Sequence, residues 1–154
     1  MSTLHIPFRH DHVGSFLRPV RLKDARIRYE AGSISAEQLK QIEDEEIAAL
    51  IEKQKQAGCL VITDGEFRRS YWHLDFMWGF QGIQKIELDH GYFFHGEETT
   101  PGSIEVIGKI SGEDHPFVEH FRFVKQFEEE GIVAKQTIPA PAQLLAELYR
   151  EDNG

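Results

Sequence analysis

The sequence is poor in several features that mark special classes of protein. Its 154 residues include one cysteine, Cys59, so no disulfide can form within the chain. No uninterrupted apolar run approaches the ~20 residues that a membrane-spanning helix needs. The first residues lack the apolar core and the small-residue cleavage site of a secretory signal. We therefore expect a cytoplasmic protein that makes no contact with a membrane.

Basic side chains are also scarce. There are 17 Lys and Arg against 26 Asp and Glu, which gives a formal net charge of -9. A nucleic-acid-binding protein usually presents a basic face, so this balance argues against nucleic acid as a partner. The first 28 residues are the exception, and this basic segment either favours an anionic ligand or is a solvated surface. Its basic residues are Arg9, Arg18, Arg21, Lys23, Arg26 and Arg28.

The pattern of apolar residues predicts helices and strands in alternation along one domain, residues 1–154. The clearest helix begins after Ser35, where Gln38 completes a capping box, and ends at Gly58. The other predicted elements, in chain order, are a strand at Phe8–Phe16, a helix at Leu22–Ala31, a strand at Cys59–Ile62, a hairpin within Tyr71–Gly96, a strand at Ser103–Ile110, a helix from near Pro116, a strand at Ile132–Pro139 and a helix at Pro141–Tyr149.

This alternation is typical of an α/β fold with a parallel sheet. A complete (β/α)8 TIM-type barrel takes ~250 residues, so this chain has room for about half of one. The sequence therefore predicts a partial barrel, with about the first four parallel strands and an inserted β-hairpin.

The carboxyl ends of parallel strands carry function in such folds, and the predicted second strand ends in acidic residues. There Asp64 and Glu66 flank Gly65, which allows a sharp turn. The Glu66 carboxylate could hold the ammonium group of a ligand by a charge-assisted hydrogen bond. The alternative is an ion pair with Arg68 or Arg69 that only stabilises the turn.

The end of the predicted first strand offers a second set of polar groups. The backbone N–H groups of Gly14 and Ser15, with the Ser15 hydroxyl, could bind a carboxylate, or could form a simple capped turn. His10 and His12 lie at strand spacing, so both side chains would face the same way and could bind a divalent metal. The other histidines show no matching spacing, which favours a structural or substrate-contacting role for the pair.

Two further residues have a functional and a structural interpretation. Trp72 lies in an aromatic segment and could stack on a flat heterocycle, although core packing under the hairpin is the more common explanation for such a cluster. Cys59 lies between a helix end and an apolar strand, where a buried and inert thiol is expected.

Several segments of the sequence follow one another in a distinctive order and spacing. They are Asp11-His12-Val13-Gly14-Ser15-Phe16-Leu17-Arg18-Pro19, Gln54-x-x-Ala57-Gly58, Ile62-Thr63-Asp64-Gly65-Glu66-Phe67-Arg68-Arg69, Trp72, Asp75, Phe76, Val106–Ile110 and Thr137–Pro141. Together they resemble the cobalamin-independent methionine synthase family, and most closely its members that consist of the catalytic barrel alone. This resemblance implies that the chain is the N-terminal half of such a barrel.

The resemblance implies a methyltransferase of methionine biosynthesis, which moves a methyl group from methyltetrahydrofolate to the sulfur of homocysteine or a related thiol. Residues Val13, Gly14 and Ser15 match the segment that holds the homocysteine carboxylate, and Glu66 matches the acid that holds its amino group. His12, Asp64 and Trp72 would be further substrate contacts. Where some family members have an Arg-Cys pair that contacts folate, this chain has Thr99-Thr100.

The complete family enzyme uses zinc, held by a His-x-Cys pair, a Glu and a second Cys in the later half of the barrel. None of these ligands can be placed in this sequence. We therefore expect that this chain alone binds no zinc, has no catalytic residues of its own and is not active by itself.

Two other functions stay open from the sequence. One is a non-catalytic module that binds an amino acid or a partner protein, and the other is a barrel metallohydrolase that uses His10 and His12. Half a barrel would leave strand edges open, so we expect a homodimer or a second chain that supplies the remaining strands.

Overall fold

In the computed structural model, which describes residues 11–91, 93–99 and 101–149, the chain divides into two units. Unit 1 is made of Met1–Arg69 and Glu119–Thr137, and unit 2 is made of Ser70–Val118 and Ile138–Gly154. The single domain expected from the sequence stays a prediction.

The described residues form helices and strands in an alternating order. The helices are α1 (Val20–Glu30), α2 (Ala36–Gln56), α3 (Leu74–Met77), α4 (Pro116–Lys125) and α5 (Pro141–Leu148). The strands are β1 (Val61–Ile62), β2 (Gln81–Glu87), β3 (Phe93–Phe94), β4 (Glu97–Glu98), β5 (Gly102–Ser111) and β6 (Val133–Ala134). None of the described helices has the length and apolar character needed to cross a bilayer.

Helix α2 confirms the predicted capping box. The Ser35 hydroxyl accepts a hydrogen bond from the Gln38 backbone N–H, and the Gln38 side chain accepts one from the Ser35 N–H. These bonds satisfy two of the backbone donors that a helix start leaves open. The helix ends where Gly58 adopts a φ of +81°, a conformation that glycine takes without strain.

The core of unit 1 is an apolar cluster between α1, α2, β1 and the later part of α4. Its buried members are Leu22, Ile47, Ile51, Ile62, Phe67 and Val124. Because Val124 comes from the later segment of the chain, this core joins both parts of unit 1.

One parallel strand pair lies beside this core. Strands β1 and β6 pair in parallel, with Val61 opposite Val133 and Ile62 opposite Ala134. The two predicted strands at Cys59–Ile62 and Ile132–Pro139 are therefore present but much shorter. Residues 11–16 form no strand, and the start of the strand predicted at Phe8–Phe16 lies outside the described residues.

The strand predicted at Ser103–Ile110 is not a parallel strand. In unit 2, β5 pairs with β2 in antiparallel orientation, and β3 and β4 form a small hairpin between them in the chain. The described residues thus hold one parallel pair. The partial barrel with about four parallel strands stays a prediction, but the prediction of a parallel strand at Ser103–Ile110 is wrong. The reason is that an apolar run identifies a strand without fixing its partner or its direction.

The core of unit 2 packs α3 against the β2–β5 ribbon. Its buried apolar members are Leu74, Met77, Ile83 and Ile104. A buried polar group accompanies them: the Ser103 hydroxyl donates to Glu147 of α5 at 2.5 Å, and His73 lies 3.7 Å from the same carboxylate.

Candidate ligand-binding site

The turn that follows β1 is buried and tightly held. The Gln54 side chain accepts a hydrogen bond from the Thr63 N–H at 3.0 Å and donates to the Thr63 carbonyl at 2.8 Å. Gly65 has a φ of +62°, and a Cβ at this position would lie 2.4 Å from Leu50 and 3.2 Å from Phe16. Glycine is therefore needed for both the backbone conformation and the close packing.

Glu66 also has a left-handed backbone, with a φ of +58°. This conformation is strained for a residue with a Cβ and persists only where the surroundings impose it. Here the Glu66 N–H donates to the Asp64 carboxylate at 2.9 Å, and Arg18 donates to the Glu66 carbonyl at 3.0 Å. Both backbone groups of the strained residue thus have fixed partners.

The Glu66 carboxylate is held at one of its two oxygens. The residue is 6% exposed, and Oε1 accepts hydrogen bonds from the Thr137 hydroxyl at 3.0 Å and from Arg69 at 3.4 Å. Arg69 is 2% exposed and also donates to the Thr137 carbonyl at 2.6 Å. Oε2 accepts no hydrogen bond from any residue in the described part of the chain.

Asp64 lies beside Glu66 and is also buried. Its Oδ1 accepts a hydrogen bond from the Glu66 N–H, while its Oδ2 lies 3.5 Å from the Gln136 side-chain nitrogen. Gln136 and Thr137, the second and third residues after β6, therefore reach the two acids of the turn, Gln136 toward Asp64 and Thr137 toward Glu66. This happens because parallel β1 and β6 end at the same edge.

The segment before α1 lies against the same turn. The Phe16 N–H donates to the Gly65 carbonyl at 3.2 Å, and the His12 ring stacks on the Phe16 ring with 3.9 Å between centroids. Gly14 has a φ of +93°, and its carbonyl lies 3.1 Å from His12 Nε2. Ser15 is exposed and Val13 is 77% exposed, so their side chains reach solvent. The structure thus brings residues 12–16 beside the Glu66 turn.

The remaining sequence candidates fall elsewhere. His10 lies outside the described residues, and His12 Nε2 is engaged with a carbonyl oxygen. In the described part of the chain, no three His, Cys, Asp or Glu side chains are grouped so that they could hold a metal ion. Trp72 belongs to unit 2, where its half-exposed ring lies 4.7 Å from the His73 ring.

Much of the basic N-terminal segment bonds within the protein. Arg18 and Arg26 donate to backbone carbonyls of the 66–69 turn, and Arg21 pairs with Glu45 and Glu46 of α2. The sequence suggested that this segment either favours an anionic ligand or is a solvated surface, and neither interpretation anticipated these internal hydrogen bonds and ion pairs. These contacts tie the turn to α1 and the segment before it, and tie α1 to α2.

Arg68 fastens the other side of the turn to α2. It donates to Glu43 at 3.0 Å and to Asp44. Burial raises the pKa of Glu43 above its usual range, against the opposing effect of Arg68 and Arg26. Burial also acts to raise the pKa of Asp44, but the hydrogen bonds from Lys40 and Arg68 outweigh it and hold that pKa below its usual range.

Comparison with known proteins identifies the family. The sequence profile of the cobalamin-independent synthase catalytic domain matches residues 8–100, which is more than half of the chain. The chain belongs to this family. The match includes both the 12–16 segment and the Glu66 turn.

Relatives and solved structures agree with this assignment. The uncharacterised proteins YxjH and YxjG of Bacillus subtilis (strain 168) are 45% and 43% identical over 138 residues, 90% of this chain. A candidate vitamin-B12 independent methionine synthase from Listeria monocytogenes is 43% identical, with a TM-score of 0.75 over 92% of this chain and 39% of that one. The chain therefore has the fold of the corresponding part of this cobalamin-independent synthase relative.

A more distant structure shows the fold alone. It is a B12-independent methionine synthase from Shewanella sp. W3-18-1 in complex with selenomethionine, at 18% identity and a TM-score of 0.56, covering 78% of this chain and 35% of that one. The present chain spans 36% of the length of the Bacillus relatives it matches. The chain thus corresponds to one part of the cobalamin-independent synthase fold.

Proposed function

We propose that this chain carries the amino-acid-binding part of a methionine-synthase-like methyltransferase. In this proposal Glu66 holds the ammonium group of homocysteine or a related amino thiol. The observation that carries it is the Glu66 carboxylate, which is buried in a strained turn with one oxygen held and the other without a hydrogen bond in the described residues. Burial of a carboxylate is costly unless cations and hydrogen bonds compensate it. Arg69 and Thr137 do so at Oε1, and a ligand ammonium group would do so at Oε2.

The carboxylate end of the ligand would meet the 12–16 segment. Backbone N–H groups in a left-handed turn form concave sites for anions, and Gly14 has the required positive φ. The exposed Ser15 hydroxyl adds a hydrogen-bond donor, and His12 and Asp64 would be further contacts of the ligand. An amino acid would then lie between a group of donors and an acid.

The zinc of the family does not fit the residues described here. The described residues contain no cluster that could hold a metal, and Cys59 is a lone, partly buried thiol. We therefore propose no step through zinc on this chain. The absence of bound zinc and of methyl transfer by the chain alone stay predictions, as does methylfolate as the donor in the complete protein.

Titration calorimetry with L-homocysteine tests the proposal. We expect the unaltered chain to bind, and Glu66→Gln to weaken binding by about 30-fold or more, because losing one partner of a buried charge pair costs ~2 kcal/mol or more. The deaminated analogue 4-mercaptobutanoic acid should bind both proteins equally, since it has no ammonium group.

The matched control is Glu30→Gln, which removes a carboxylate from an exposed position at the end of α1. It should bind homocysteine as the unaltered chain does. Equal affinity of Glu66→Gln and the unaltered chain would rule out Glu66 as the ammonium partner, provided that thermal unfolding shows both to be folded.

We further propose that two copies of the chain associate through open strand edges. In the described residues each strand pairs with one other strand, and open edges favour pairing with another chain. Light scattering on a sizing column should then give twice 17.7 kDa. A mass of 17.7 kDa would contradict self-association.

A further inference from the structure

Thr137 makes a connected set of hydrogen bonds around the Glu66 carboxylate. Its hydroxyl lies 3.0 Å from Glu66 Oε1 and 3.1 Å from Arg69 Nη2, and its carbonyl accepts a second bond from Arg69 at 2.6 Å. A guanidinium can only donate, so the hydroxyl oxygen accepts from Arg69. Its single proton is then directed to Glu66.

This arrangement fixes which carboxylate oxygen meets a ligand. A glutamate side chain has several rotatable bonds, and ordering them costs conformational entropy. Thr137 and Arg69 both act on Oε1, while the backbone of Glu66 is held by Asp64 and Arg18. The side chain is therefore ordered before any ligand arrives, and Oε2 is the oxygen left to it.

We propose that Thr137 is a positioning residue for Glu66: its hydroxyl holds Oε1 so that a primary ammonium group meets Oε2. The nature of the ligand rests on the proposed function, whereas the positioning itself rests on the hydrogen bonds above. Sequence reasoning placed Thr137 at the end of a strand but assigned it no role.

A pair of substitutions separates the hydroxyl from the shape of the side chain. Thr137→Val keeps the branched shape and removes the hydroxyl, and Thr137→Ser keeps the hydroxyl and removes the methyl group. We expect the valine variant to bind L-homocysteine about 10-fold or more weakly, since hydrogen bonds to charged groups are the stronger ones. The serine variant should stay within about threefold of the unaltered chain.

The deaminated analogue shows whether Thr137 acts through Glu66. Binding of 4-mercaptobutanoic acid should change less than twofold in either variant, because this ligand does not use Glu66. In a Glu66→Gln background, Thr137→Val should cause no further loss. An equal loss for both ligands in the valine variant would mean a structural role and would overturn the proposal.

A second measurement needs no ligand. In protein labelled with ¹³C at the glutamate carboxyl groups, the Glu66 signal is identified by its absence in Glu66→Gln. We expect the ¹³C chemical shift of the Glu66 carboxyl group to change in Thr137→Val and to stay the same in Thr137→Ser. An unchanged chemical shift in the valine variant would overturn the proposal. If the valine variant unfolds, Thr137→Ala can be measured in its place. It also removes the hydroxyl, but it puts no additional methyl group next to Arg69.

The two proposals fail in different ways. If the unaltered chain takes up no amino thiol, the proposed function is wrong, and the carboxyl signal still decides whether Thr137 holds Glu66. If the chain binds homocysteine but the Glu66 carboxyl signal is the same with and without the Thr137 hydroxyl, the proposed function stands and the positioning role is wrong.

Discussion

Replacing Arg69 with methionine is expected to lower the free energy of unfolding by about 3–5 kcal/mol. Arg69 is almost fully buried and bridges the Glu66 carboxylate and the Thr137 carbonyl. Methionine fills a similar volume but leaves Glu66 as a buried charge without its cation. Urea unfolding of both proteins measures the difference.

Two comparisons isolate the charge. The double variant Arg69→Met with Glu66→Gln should regain part of the loss, since no uncompensated charge is then buried. Arg122→Met, at an exposed ion pair with Glu119, should change stability by no more than about 0.5 kcal/mol. If Arg69→Met is as mild as Arg122→Met, the buried pair does not hold the turn.

Replacing Ile51 with alanine is expected to lower the free energy of unfolding by about 2–5 kcal/mol. Ile51 is completely buried in α2, where it packs with Leu22, Ile47 and Ile62. Removing three side-chain carbons loses their burial and leaves a cavity that the neighbours fill only in part. The same urea experiment gives the value.

Ile27→Ala is the matched control, because Ile27 is 63% exposed on α1. This substitution removes the same atoms from a position where water already reaches them, so stability should change by about 0.5 kcal/mol or less. A similar loss at both positions would show that the cluster around Ile51 is not the core of unit 1.

The helices were predictable because their signals are local. The capping box of Ser35 and Gln38, the stop at Gly58 and the proline at the start of α5 each act within one turn of the chain. The structure confirms α2 and α5 close to their predicted bounds. The short helix α3 was missed because its four residues lie in an aromatic segment with no clear period.

The strand partners were not predictable in the same way. Ser103–Ile110 is extended as expected, but its partner β2 is fixed by packing of Ile83 and Ile104 in the unit 2 core. Such contacts depend on the whole fold, so an apolar run alone could not distinguish a parallel strand from one arm of a ribbon.

The site was partly predictable. The end of an apolar strand pointed to Glu66, and the structure also contains the ion pair with Arg69 that was the alternative interpretation. The roles of Thr137 and Gln54 were missed, because their bonds span 71 and 9 residues of sequence. The position of Thr137 near the end of the predicted strand Ile132–Pro139 was the one available signal, since parallel strands end at a common edge.

The parallel pairing of β1 with β6 also bears on the order in which the chain folds. The two strands are separated by about 70 residues, which include the Ser70–Val118 part of unit 2. At ~5–20 residues per second, a ribosome needs several seconds to deliver the second strand after the first. During that interval Ile51 and its neighbours lack the cover of Val124, and the loop that must close is long. Unit 1 is therefore exposed to chaperones and to misassociation until translation has passed residue 137, although it begins first.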